Sequence, residues 1–459
     1  MNQYAKCLFP AALIIAFVFS AVLPAQSETF TLELKRLENR SQFSSGPSDY
    51  VLRWTFPQYV ASRGGRPPGQ PQPPEFSSIV KKEPSDYKCD QPFRGVAQFG
   101  SEYFAFVLDS TDLDAQGYDR LYLDRNCNGD LTDDEIIQAR PMPENIQFPP
   151  GYNQREFPRV DCTIHVGDAE TEYSFFLNAM CNTNVGSGSN SSQMYVHVTL
   201  NPGAYREGEI TLDGTQRQIV LLDFNSNGRF DDAFTNVEDG TRLYGTSTAD
   251  ILLIDLDRND PSFRGIRVTD RKERNPVSNF ICIDNKFYTL EISPSGEELT
   301  ISPSPLPLGS ITNPNGGFEA LLCNGKDYVK IFGEKSKPVP LPAGDWKLME
   351  YVISAADPTG GGQPTFIAAI ASGICPAVTV KESETSIFRF GPPFRPIVDV
   401  RAMGGRGPGA QAQMQLRIVG SAGEQCTNLM VNGNRPENPS FVIAKKDGEI
   451  IERANFEYG

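Results

Sequence analysis

The sequence predicts a mostly β, multi-domain protein built from antiparallel sheets and closed by a C-terminal β-sandwich. Three observations lead there. Glycine (40) and proline (36) together make up about a sixth of the 459 residues, which favours many turns and short strands. Short runs alternate apolar and polar residues with a period of two, and turn residues separate them. No stretch of twelve residues sustains a helical period.

Residues 1–27 read as a secretory signal: a short polar start with Lys6, an apolar run from Leu8 to Leu23, then Pro24, Ala25, Gln26 and Ser27. The run is short for a membrane span of about 20 residues and contains Pro10, so cleavage is expected, leaving no membrane-spanning segment. That places the mature chain in a secreted or periplasmic location. Residues 28–84 hold N-terminal strands (Phe30 to Leu34, Tyr50 to Trp54) and a Pro/Gly-rich loop from Arg63 to Phe76, where missing amide donors discourage sheet formation.

Residues 85–329 form a β-rich region, with strands expected at Tyr103 to Leu108, Leu121 to Leu123 and Met194 to Leu200. Ile210 to Leu212 and Ile219 to Leu222 flank Asp213-Gly214, a pair that tolerates the positive φ of a tight hairpin. Ile281 to Ile283, Phe287 to Ile292 and Leu299 to Ile301 repeat the pattern as a meander. Residues 330–459 read as the β-sandwich, with a strand from Trp346, an alternating strand through Met414, Leu416 and Ile418, and a last hairpin around Asp447-Gly448. Gly404 to Gly409 lacks a following helix and reads as a flexible loop.

The composition excludes several function classes. Lys plus Arg total 42 and Asp plus Glu 57, a formal charge of −15 that repels polyanions and makes nucleic acid an unsuitable partner. The two histidines, His165 and His197, sit in β-branched, strand-like runs, and no G-x-S-x-G, H-E-x-x-H or Walker pattern occurs. Nine cysteines, of which Cys7 leaves with the signal, are too sparse for a disulfide scaffold. Cys162 with Cys181 is the pair expected from proximity in sequence.

The informative chemistry is acidic. Asp124 to Glu135 (DRNCNGDLTDDE) matches D-x-[DN]-x-[DN]-G-x5-E at all twelve positions, and Asp223 to Asp232 (DFNSNGRFDD) repeats its first half 99 residues later (223 − 124). Ca²⁺ takes six to eight oxygens, and a loop coiled around it turns alternate residues inward. The first loop offers Asp124, Asn126, Asn128, the position-7 backbone of Asp130, Thr132 through water, and Glu135 as the closing ligand. The second offers Asp223, Asn225, Asn227 and the backbone of Arg229; its twelfth residue is Phe234, so Asp231 or Asp232 must close the shell. Asparagine at positions 3 and 5 keeps ligand charge low and points to affinities of about 10⁻⁴–10⁻³ M. Asp255, Asp257, Asn259 and Asp260 form a third acidic group that lacks the position-6 glycine and reads as a solvated turn.

These loops resemble the EF-hand calcium-loop family, and more closely the lone D-x-N-x-N-G loops of dockerin-like and thrombospondin-type repeats in secreted proteins. The resemblance covers about twelve residues twice. Each loop here follows a strand-like run, Tyr118 to Leu123 or Ile219 to Leu222, where an EF-hand would have a helix. It implies a structural clip rather than a sensor that opens on binding. The function expected is a secreted calcium-binding β protein, non-catalytic, with a matrix role or binding an extracellular glycan or protein. The alternative is a carboxylate-based glycoside hydrolase, whose two acids need only meet in space at about 5–9 Å, or a carbohydrate-binding protein.

Overall fold

A computed structural model describes residues 27–38, 55, 57–61, 72–111, 117–142, 146–182, 195–234, 249–256, 274–355, 365–372, 375, 377–403 and 411–457. The leader up to residue 26, the strand expected at Tyr50 to Trp54, most of the proline-rich loop, the Gly404 to Gly409 loop and residues 257–260 of the third acidic group lie outside them. The described chain is nearly all strand; one four-residue helical turn, Phe76–Ile79, ends the proline-rich stretch. No helix among the described residues is long and apolar enough to cross a membrane.

The described strands join in sheets that are antiparallel except for one parallel pair, Leu308–Thr312 with Thr385–Ile387, and chain neighbours mostly pair. Phe93–Phe99, Glu102–Asp109, Arg120–Leu123 and Ile137–Gln138 form a four-stranded meander. The long strand Ala169–Asn182 organises a second sheet, pairing Val160–Val166 and Tyr152–Glu156 on one edge and Tyr195–Pro202 on the other. The third sheet centres on the hairpin Ala204–Leu212/Thr215–Leu222. Its two-residue turn places Asp213 at φ 50° and Gly214 at φ 77°, both left-handed as a twist-matched hairpin requires.

The alternation read between Phe30 and Leu34 is not one strand. Glu28–Thr31 pairs with Glu298–Pro303, whereas Glu33–Arg36 pairs with Ala204–Leu212, and buried Leu32 marks the crossing, its amide donating to the Glu297 carbonyl at 2.7 Å. Alternation reports one buried face and is silent on which sheet supplies the partner.

Two large cores result. The first is aromatic and aliphatic, with Phe99, Phe104, Phe106, Tyr173 and Phe175 fully buried; Phe99 and Phe175 stack at 4.7 Å. The second gathers around buried Trp346, whose indole donates to the Pro342 carbonyl at 2.8 Å. An eight-stranded sheet and the three-stranded sheet of Leu308–Thr312, Val339–Pro342 and Thr385–Ile387 contribute to it. The division placed at 329/330 falls inside the strand Tyr328–Gly333, and the second core reaches upstream to Phe280 and Phe287. The reason is the pleat. Successive residues of the Phe280–Ile283 and Lys286–Ile292 strands face opposite ways, so Ile281, Ile283, Tyr288 and Leu290 enter the first core and Phe280 and Phe287 the second.

Candidate metal centre: two matched acidic loops

Each D-x-N-x-N-G loop leaves the end of a buried strand. Arg120–Leu123 delivers Asp124 and Thr215–Leu222 delivers Asp223, both with no exposed surface. The two loops then share a backbone. Position 4 is left-handed in both (Cys127 φ 55°, Ser226 φ 60°), as is the position-6 glycine (Gly129 φ 81°, Gly228 φ 84°).

Their hydrogen bonds match as well. The first carboxylate accepts the amides of positions 5 and 6: Asn128 N at 3.0 Å and Gly129 N at 2.8 Å on Asp124, Asn227 N at 3.2 Å and Gly228 N at 2.8 Å on Asp223. The position-5 asparagine oxygen accepts the position-7 amide, at 2.7 Å from Asp130 and 2.8 Å from Arg229. Its amide nitrogen donates to a carboxylate at position 10, Asn128 to Asp133 at 2.8 Å and Asn227 to Asp232 at 2.6 Å. Asn225 Nδ2 also donates to Asp232, at 2.7 Å, whereas Asn126 Oδ1 accepts the Asn128 amide at 3.0 Å.

A third carboxylate completes each set, from position 11 of the loop itself in the first and from the residue leading into the strand beside it in the second. The amide of position 2 donates to it: Arg125 N to Asp134 at 3.2 Å and Phe224 N to Asp250 at 2.9 Å. Asp250 reaches loop two because Leu222 pairs with Ile251, which sets the ends of those antiparallel strands side by side. Its second oxygen accepts the Asp232 amide at 2.8 Å. The two trios are therefore Asp124, Asp133 and Asp134, and Asp223, Asp232 and Asp250.

The remaining sequence-derived positions fall elsewhere. Glu135 is exposed on the run into Ile137–Gln138, off the helix that would carry it in an EF-hand. Thr132 donates its hydroxyl to Asp130 Oδ1 at 2.6 Å, and the other Asp130 oxygen meets Lys82 Nζ at 2.8 Å. Asp231 is held by its neighbour Arg229 through contacts of 2.9 and 2.7 Å, so Asp232 is the acid that faces the loop. Phe234 is buried against Tyr328, ring centroids 4.6 Å apart. Asp255 turns to Arg217 Nη1 at 2.6 Å and the Gln218 amide at 3.0 Å; the other members of that acidic group lie outside the described residues.

Burial raises the carboxyl pKa of Asp124 and Asp134 above the usual range, against the pull of their backbone donors. Loop two is more extreme. Burial pushes Asp223 up to about 7 despite the Tyr173 phenol, which donates to its Oδ2 at 2.6 Å, and Asp232 adds repulsion. Burial and then the charges of Asp223 and Asp232 hold Asp250 well above its ordinary value. Among the described residues neither Asp223 nor Asp250 has an ion-pair partner. Among them no three His, Cys, Asp or Glu side chains stand in a metal-holding arrangement.

Asp133, Asp134 and Asp250 were missed by the motif reading. The first two lie inside the twelve-residue window as a plain Asp-Asp pair; Asp250 lies 27 residues (250 − 223) past the loop start, visible only through strand pairing. His165, on Val160–Val166, hydrogen-bonds Glu102 at 2.6 Å, and half-buried His197 sits between Tyr59 and Tyr195. No family model matches the chain, and neither a curated protein nor a solved structure is found to be similar to it.

Proposed function

We propose that the two acidic loops bind Ca²⁺ and that the ions act as structural clips in a non-catalytic, secreted or periplasmic β protein. One observation carries the reading: two D-x-N-x-N-G stretches that start 99 residues apart (223 − 124) fold to the same loop backbone, each with a wholly buried first carboxylate and two further carboxylates hydrogen-bonded to the loop. Taking several carboxylates out of water costs much unless they are protonated or meet a positive charge. A divalent ion supplies that charge.

The donor set suits calcium. It consists of hard oxygens, from Asp124, Asp133, Asp134, Asn126 and Asn128 in one loop and Asp223, Asp232, Asp250, Asn225 and Asn227 in the other. Turning the Asn225 amide by half a rotation exchanges its NH₂ for its oxygen, converting a donor to Asp232 into a ligand beside it, whereas Asn128 and Asn227 would give up the position-7 amide to do the same. The ion's role is linkage: binding only the folded loop stabilises it by RT ln(1 + [Ca²⁺]/Kd), about 1.4 kcal/mol at ten times Kd.

The test is thermal melting of the full chain in EDTA and in millimolar CaCl₂, with isothermal titration alongside. Calcium should raise Tm, and Asp124→Ala and Asp223→Ala should each remove part of the increment. An unchanged Tm with no heat of binding would refute the reading.

A further inference from the structure

Beside the first loop lies a cleft of about 580 Å³, lined by Glu102, Arg125, Cys127, Asp161, Cys162 and His165 among others. Two thiols thus open on one cavity from different elements. Cys127 is position 4 of the loop, exposed and held left-handed at φ 55°. Cys162 lies half-buried on Val160–Val166, its sulfur 3.7 Å from the Tyr173 carbonyl. Arg125 fixes the two elements to one another, since its guanidinium donates to the Asp161 carbonyl at 3.0 Å, one residue from Cys162 and two from Cys127.

We propose that Cys127 and Cys162 are an oxidisable pair that forms a disulfide, stapling the first acidic loop to the adjacent strand. The exposed thiol reacts first: the Cys127 thiolate attacks a disulfide RS–SR of the oxidant, forming Cys127–S–SR and releasing RS⁻. The Cys162 thiolate then attacks the Cys127 sulfur and expels the second RS⁻. The two protein thiols lose two protons and two electrons, and one external disulfide becomes two thiols. The bond needs an oxidising compartment, and so rests on the extracytoplasmic part of the function proposed above.

The geometry also rejects the pairing that sequence proximity suggests. Cys162 sits opposite Tyr173, and Cys181 lies eight positions further along that strand (181 − 173), on the order of 26 Å at about 3.3 Å per residue. A disulfide requires Cα atoms within about 7 Å. Cys162 and Cys181 cannot join.

Peptide mapping of the unreduced full chain is the experiment, after incubation of purified, reduced protein with glutathione disulfide. Trypsin with a glutamate-specific protease separates the peptides bearing Cys127, Cys162 and Cys181, since cleavage follows Glu135, Arg159, Glu170 and Glu172. The expected result is a Cys127–Cys162 cross-linked peptide that disappears on reduction. Cys162→Ser should leave Cys127 open to alkylation, or carrying a single glutathione, while the wild-type map serves even if that variant folds poorly. Full alkylation of both thiols in the treated wild type, or Cys127 joined to another cysteine, would overturn the proposal. Cross-linking in vitro but not in exported protein would instead fault the compartment. A calcium-dependent Tm without the cross-link would leave the calcium reading standing and this one refuted.

Discussion

The Tyr173 phenol donates to Asp223 Oδ2 at 2.6 Å, although the two residues are 50 apart in the chain and both are buried. The contact ties the long central strand of one sheet to the first acid of the second loop, so the site and the first core share a residue. Tyr173→Phe keeps the ring against Phe99 and removes the donor. A hydrogen bond to a charged group contributes about 1.5–3 kcal/mol, and urea unfolding in EDTA should show a loss in that range. An unchanged midpoint would mean the phenol contributes nothing to holding Asp223.

Asp250 is the sharpest test of the second loop. Asp250→Asn keeps the shape and removes one of three crowded charges. In EDTA the lost repulsion is set against a lost acceptor, since each Asp250 oxygen takes one backbone amide, so affinity is the readout: the variant should bind calcium about tenfold or more weakly, as loss of a supporting metal-site residue does. Titration calorimetry of both proteins measures it, and equal affinities would remove Asp250 from the site.

The position-6 glycines differ from turn glycines in what surrounds them. A Cβ at Gly228 would lie 2.7 Å from Ile164 Cδ1 and 3.0 Å from the Gly100 amide, whereas at Gly214 nothing lies within 4 Å. Gly214→Ala should cost about 1–2 kcal/mol, the left-handed backbone penalty alone. Gly228→Ala should cost more than that, and chemical denaturation of the two variants side by side checks the order.

As the solution is acidified from pH 7 towards 5, His197 takes stability away while Asp223, whose folded pKa is pushed up to about 7, returns some as it takes up its proton, so the two act in opposite directions. Burial lowers the His197 pKa beneath the ordinary 6.5. Above 6.5 the ring is neutral in both states and exacts no penalty; as pH drops through 6.5 the unfolded chain takes up the proton first, and stability is lost until the lowered folded value is passed. His197→Gln should flatten that part of the profile. An imidazole that titrates at or above 6.5 by NMR would contradict the assignment.

The legible parts of this molecule were those written locally. Asp213-Gly214 announces a hairpin because few other pairs accept two left-handed residues, and the D-x-N-x-N-G spacing announces a coiled loop for the same reason. Illegible were the features made by pairing distant segments. Leu32 divides what alternates as one strand, since two different sheets claim its neighbours. Asp250 joins Asp223 only through the Leu222–Ile251 register. The spacing that picks Glu135 belongs to a helix-borne ligand; here the chain runs through a turn into Ile137–Gln138, and it is Asp133 that hydrogen-bonds Asn128 of the loop.

The meander of Phe280–Ile283, Lys286–Ile292 and Glu298–Pro303 gives Tyr288 to one interior and Phe287 to the other. Such a partition is a party wall: neither room can be vacated without exposing the other's plaster. Heating should therefore produce one calorimetric transition for the described body, and a fragment cut anywhere near residue 330 should expose enough oily surface to bind hydrophobic dyes, even with both acidic loops intact.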